Sequence, residues 1–157
     1  MEKNKVFIAS SSEMEYERKE LVYLMVIDMN EELESKGYEL IPEKWEYMDS
    51  SMRGRRKEDE YLDNLRECEI CLSLFWNTIG QYTIEELNVA LNEQQCGHFP
   101  RLVHVFFKES TDIISENLLE FKKEFISKHS SIVVTFSDIS ELRQQVKELI
   151  YNYISRK

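Results

Sequence analysis

Glu85 and Glu86 stand side by side in the stretch FWNTIGQYTIEEL, Phe75 to Leu87, with Trp76, Gly80 and Tyr82 just upstream. Paired carboxylates at the start of a helix admit two readings. Either they complement the positive end of the helix macrodipole, or one of them works on a bound substrate. Spacing distinguishes the two side chains but leaves both readings open for either: Ile84, Leu87 and Leu91 recur as an apolar stripe, Glu86 borders it one turn before Ala90, and Glu85 falls further toward solvent. The cysteines offer a second chemistry. Cys68 and Cys71 form a C-x-x-C, with Cys96 and His98 further on, which are residue types that hold structural zinc. Zinc ligands usually sit on loops, however, whereas Cys71 lies in an apolar run that reads as a strand facing the core. A redox C-x-x-C opens a helix, where the dipole lowers a thiol pKa, and this one opens a strand.

Other chemistries lack their residues. Dinucleotide fingerprints and P-loops need closely spaced glycines, and glycines 37, 54, 80 and 97 are scattered. A phosphate-accepting receiver domain needs an aspartate at the end of its third strand, where this chain has Trp76 and Asn77. Nucleophilic hydrolysis needs a Ser or Cys near a His. His98, His104 and His129 all fall at or inside the last two α/β units, and His104, in LVHVFF, reads as a core or edge residue.

The composition narrows the partners. The 157 residues carry 30 acidic and 20 basic side chains, a net charge of −10, which argues against nucleic acid because phosphate contacts rest on Lys and Arg. No apolar stretch has the length of a bilayer span, and MEKNKVFIASSS lacks the long apolar segment of a signal peptide. Three cysteines, an odd number, fit a reducing compartment better than a disulfide framework. These features lead to the expectation of a cytoplasmic protein with no nucleic-acid or membrane partner.

Periodicity supplies the elements that must position the glutamates. Lys5–Ala9 reads as a buried first strand closed by three serines, and Glu13 to Lys36 as a long helix ending at Gly37, where a left-handed cap is wanted. YELIP is the second strand, EKWEYMDSSMRGRRK a charged loop, and Lys57 to Glu67 a shorter helix. ICLSLFW is a central strand covered on both faces. There follow a helix from near Thr83 to about Gln95, RLVHVFF, a helix over Asp112–Lys128, SIVVTFS, and a last helix to about Ser155. This alternation predicts a three-layer α/β sandwich of five parallel strands, one domain over residues 1–157; the strand order is not readable from the sequence, and 2-1-3-4-5 is the common one for five such units. Ligands of such sheets sit outside the carboxyl ends of the strands near the switch point, where SSSEME, the charged loop and WNTIGQYTIEE converge.

From KVFIASS through FFKE, and more loosely to the end, the sequence resembles TIR and TIR-like domains of the bacterial type. The shared features are a first strand ending in serines, a variable loop after strand two, and a motif W-C-x-x-E-L after strand three. Here that motif is YTIEEL, with Tyr82 and Thr83 in place of the tryptophan and cysteine and Glu86 at the glutamate. KVFIASSSEMEYER is also similar to the start of a related family at the N-terminus of bacterial conflict proteins.

The resemblance implies a flavodoxin-like fold of the TIR type and an effector of anti-phage defence. Its activity would be cleavage of NAD, as substrate rather than cofactor, between nicotinamide and ribose, giving ADP-ribose or a cyclised form. Glu86 is then the catalytic residue. Ser10, Ser11 and Ser12 would supply hydroxyl and backbone donors, Trp45 and Trp76 faces for a pyridinium or adenine, Arg53 with Arg55 and Arg56 a grip on the pyrophosphate, and Tyr82 a further substrate contact. Trp76 also fits a packing role at the end of a central strand, and the arginines a solvated loop. The loop Tyr47–Lys57 corresponds to one that joins neighbouring TIR domains, so self-association is expected, with a sensor domain or protein as a further partner. Loss of the W-C pair keeps open a non-catalytic interaction domain. A nucleoside 2-deoxyribosyltransferase-like enzyme shares the fold and a glutamate after strand three, but its glycine-threonine is replaced here by GQYTIEE.

Overall fold

The computed structural model describes residues 1–43, 55–79, 82–110 and 114–157, with the side chains of 55–59 outside that description. Its centre is a parallel sheet of β1 (Glu2–Ser10), β2 (Tyr38–Pro42), β3 (Ile70–Phe75), β4 (Leu102–Lys108) and β5 (Val133–Phe136), in the order β2-β1-β3-β4-β5. This is the doubly wound, flavodoxin-like arrangement that the alternation predicts. The winding reverses between β1 and β3, which pair from Val6↔Ile70 to Ser10↔Leu74. Among the described residues no helix is long and apolar enough to cross a membrane.

Strand alternation sorts the core into two layers. Val6, Ile8, Leu72, Leu74 and Phe106 face the first and last helices, where Met14, Leu21, Met25, Leu142, Val146 and Ile150 pack on them. Phe7, Ala9, Cys71, Phe75, Val105 and Phe107 face the opposite way, against Leu62 and Leu65 of α3 (Arg55–Leu65), Leu87 and Ala90 of α4 (Thr83–Gln95), and Leu118 and Phe125 of α5 (Glu116–His129). β3 is buried along its whole length, which is why its sequence is continuously apolar rather than alternating.

The first helical segment differs from the single α-helix expected over Glu13 to Lys36. It opens with a 3-10 turn at Ser12–Met14, runs as α1 (Glu15–Tyr23), widens to a π-helical stretch at Leu24–Met29, and closes as α2 (Asn30–Glu34). The reason lies in its buried residues. Leu21, Met25, Met29 and Leu33 are at most 1% exposed and spaced strictly four apart. An α-helix of 3.6 residues per turn would rotate such a series by about 40° at each step, and a π turn absorbs the excess. Gly37 takes φ +80° as the left-handed cap. Asn30 then seals the outer edge of β2: its Nδ2 donates to the Leu40 carbonyl at 3.0 Å, and its Oδ1 accepts from the Leu40 N–H at 2.8 Å.

Other boundaries shift for local reasons. β1 extends beyond Lys5–Ala9 because Glu2, Lys3 and Asn4 pair with β2. α5 begins at Glu116 rather than Asp112, since the Ser115 hydroxyl caps it by accepting from the Leu118 N–H at 3.2 Å. A 3-10 turn at Ser130–Ile132 takes the start of the expected fifth strand, and α6 (Ile139–Ser155) ends where expected.

Candidate functional site

The carboxyl ends of β1, β3 and β4 form the edge at which the sequence places its chemistry. Glu86 lies in the first turn of α4, 5% exposed, with its backbone N–H donating to the Tyr82 carbonyl at 2.9 Å. Glu85, its neighbour, is exposed. A carboxylate that only complemented the macrodipole would lose nothing by remaining in water, and the burial of Glu86 sets it apart from Glu85 in this respect. Burial, and after it the charge of Glu86, raises the thiol pKa of Cys71, which packs in the layer of α3, α4 and α5.

The serines of the β1 exit lie at the same edge. Ser10 ends the strand and its Oγ accepts from Arg18 Nη1 at 2.9 Å. Ser11 accepts the Met14 N–H through its carbonyl at 3.1 Å, and the exposed Ser12 opens the 3-10 turn. Tyr82, half-buried, immediately precedes α4. Trp76 follows β3, but it packs with the α1 and α6 layer, on the side of the sheet away from Glu86. Lys108 Nζ sits 3.9 Å from its ring centroid and donates to the buried Glu17 carboxylate at 2.9 Å. One face of the ring therefore already serves a cation. A hollow of about 270 Å³ opens at the ends of β3 and β4, lined by Trp76, Phe107, Lys108, Ser110 and Lys122 among others.

Trp45, Arg53 and most of the loop Tyr47–Lys57 lie outside the described residues. Arg55 and Arg56 open α3, and their side chains also fall outside the description. Of the expected set, the fold gathers Glu86, Tyr82, Trp76 and Ser10 to Ser12 along one edge, divided between the two sides of the sheet.

Sequence reading missed Glu13, Glu17, Arg18 and Lys108. Glu17 carried a signal: it lies between Met14 and Leu21 on the buried stripe of the first helix, and it is 4% exposed. A charge on a core stripe announces a partner. For Glu17 that partner is Lys108, and the half-buried Glu13 accepts the backbone N–H groups of Asn77 and Thr78.

The cysteines form no reactive centre. Cys68 and Cys71 are buried and free, and Cys96 is exposed. Burial pushes the Cys68 thiol up to about 12 and Cys71 higher still, so neither is a thiolate near neutrality. Among the described residues no three His, Cys, Asp or Glu side chains gather as metal ligands. His104 is buried against Phe106, with ring centroids 5.1 Å apart.

No protein-family model matches the chain, and no curated protein matches it. Among solved structures it is similar to the CMP N-glycosidase BcmB of Clostridium botulinum, with 18% identity over 91% of this chain and 97% of that one and a TM-score of 0.53. It also matches the TIR domains of the activated Roq1 resistosome that recognises the effector XopQ, at 15% identity over 93% of this chain and 82% of that one, with a TM-score of 0.42. At such identities the likeness to BcmB is one of fold.

Proposed function

We propose that this chain is a TIR-like enzyme that cleaves an N-glycosidic bond, that its substrate is NAD, and that Glu86 is the catalytic carboxylate. The observation that carries this reading is the burial of Glu86 at the start of α4, beside the edge where sheets of this kind bind ligands. Breaking the bond between nicotinamide and ribose develops an oxocarbenium-like sugar. A carboxylate stabilises that charge and holds the ribose hydroxyls, as in glycoside hydrolysis. Nicotinamide is cationic in NAD and departs neutral, so no strong general acid is needed. One glutamate therefore suffices, with the N–H and hydroxyl donors of Ser11 and Ser12 available to the rest of the substrate.

In this reading NAD is substrate rather than cofactor, and the protein works in the bacterial cytoplasm as a defence effector. Self-association through the loop Tyr47–Lys57 activates it, in answer to a sensor domain or protein. A second reading, a nucleotide N-glycosidase, draws on the fold likeness to the CMP N-glycosidase, which spans nearly all of both chains. It uses the same glutamate on a different base.

Incubation with NAD, CMP and deoxynucleosides in parallel, followed by chromatography of the free bases, separates the readings. Nicotinamide released from NAD alone supports the first. Cytosine from CMP, or exchange of bases between deoxynucleosides, replaces it with the second or with a transferase. No release from any of them at high protein concentration leaves a non-catalytic interaction domain.

A further inference from the structure

Glu13 reaches across the switch point to the exit of β3. Its Oε1 accepts from the backbone N–H of Asn77 at 2.9 Å and from that of Thr78 at 3.0 Å. Two successive backbone donors therefore meet on one side-chain oxygen. Glu13 is itself well anchored. The 3-10 turn that carries it is closed by Met14 N–H on the Ser11 carbonyl, and the Met14 side chain is fully buried beneath it. From the opposite side, the Ser115 N–H donates to the Asn77 carbonyl at 3.2 Å. The start of the loop from Trp76 to Tyr82 is thus gripped between the β1 exit and the cap of α5. Its other end runs into the turn of α4 that carries Glu86.

We propose that Glu13 is a positioning residue for Glu86: by holding Asn77 and Thr78 it fixes the exit of β3 in the connection that leads to α4 and Glu86. The proposal rests on the reading of Glu86 as catalytic and adds a role for a residue 73 positions earlier in the chain. Glu13 meets the substrate in none of this. It acts through the backbone of the loop, and what the clamp requires of it is an acceptor oxygen rather than a charge.

The test compares Glu13→Ala and Glu13→Gln with the wild type, using hydrogen exchange of the Asn77 and Thr78 amides and the kcat and KM of nicotinamide release from NAD. The glutamine carbonyl can still accept both N–H groups; alanine cannot. Glu13→Ala is expected to exchange faster at both amides and to lose about tenfold in kcat, as small displacements of a catalytic group do, with KM little changed. Glu13→Gln restores both. Unaltered exchange in Glu13→Ala overturns the clamp, and faster exchange with unaltered kcat overturns the positioning role. Should Glu13→Ala not fold, Glu13→Ser, whose side chain is too short to reach the two N–H groups, takes its place with the same two outcomes. A wild type that releases no nicotinamide sinks the functional reading and the positioning role with it, while the exchange comparison still tests the clamp.

Discussion

The ammonium of Lys108 rests 3.9 Å from the centroid of the Trp76 ring, at the carboxyl edge of the sheet. Glu17 holds it there from the buried face of α1, at 2.9 Å. The three groups join β4, the β3 exit and the first helix in a structural joint that borders the hollow at the ends of β3 and β4. Removing one member leaves a partly buried charge without its partner, and Glu17→Ala or Lys108→Met is expected to destabilise by roughly 3 kcal/mol. The double variant Glu17→Gln with Lys108→Met should be less destabilised than the sum of its single changes. Urea midpoints measure this, and simple additivity would contradict it.

Asn30 supplies a second joint, on the outer edge of β2. Glu32 and Tyr151, a little further along, tie α2 to α6 at 2.6 Å, whereas Asn30 gives the strand both a donor and an acceptor at Leu40. Asn30→Ala is expected to lose about 1–2 kcal/mol and to free a strand edge for pairing with other chains. Asn30→Asp, which keeps the acceptor and loses the donor, should fall between. Denaturation and light scattering check both, and a wild-type midpoint for Asn30→Ala contradicts the edge role.

Thiol labelling should divide the three cysteines. Near neutral pH one label per chain is expected in the folded state, on the exposed Cys96, and three after unfolding, because burial keeps Cys68 and Cys71 protonated and covered. Mass spectrometry counts them. Rapid labelling of Cys68 or Cys71 in the native protein contradicts the packing of the α3 and α4 layer.

His104 gives the fold an acid sensitivity. Burial holds its pKa below the ordinary value of 6.5, so on acidification the unfolded chain takes up a proton at this residue before the folded one does. The resulting stability is present above pH about 6.5 and is lost as pH falls through the folded pKa. His104→Phe should show a smaller loss of urea midpoint than the wild type between pH about 7.5 and 5.5. Equal losses would place the sensitivity elsewhere.

Much of this architecture is legible in the sequence because it follows from period. The apolar run Ile70–Phe75, the stripe of Ile84, Leu87 and Leu91, and Gly37 after the last helical residue mark a central strand, α4 at its observed bounds and a helix cap, while the sheet order itself matches the common one for five such units rather than anything in the period. The burial of Glu86 beside an exposed Glu85 follows from the same stripe. The rest depends on contacts between distant residues, which period does not encode. Glu13 meets Asn77 across 64 positions and Lys108 meets Glu17 across 91. A reading by type alone leaves Trp76 as an open stacking face, when its ring already bears a lysine. Trp45 and Arg53 lie outside the described residues, so their assignment rests on the resemblance.

The central claim is that Glu86 is the carboxylate of an NAD-cleaving site, and it is tested most directly by nicotinamide release at high protein concentration. Wild type, Glu86→Gln and Glu85→Gln are run side by side. The account predicts release by the wild type and by Glu85→Gln, a specific activity that rises with protein concentration, and a loss of at least about 100-fold in Glu86→Gln. Equal activity in the wild type and Glu86→Gln, or loss confined to Glu85→Gln, would contradict it.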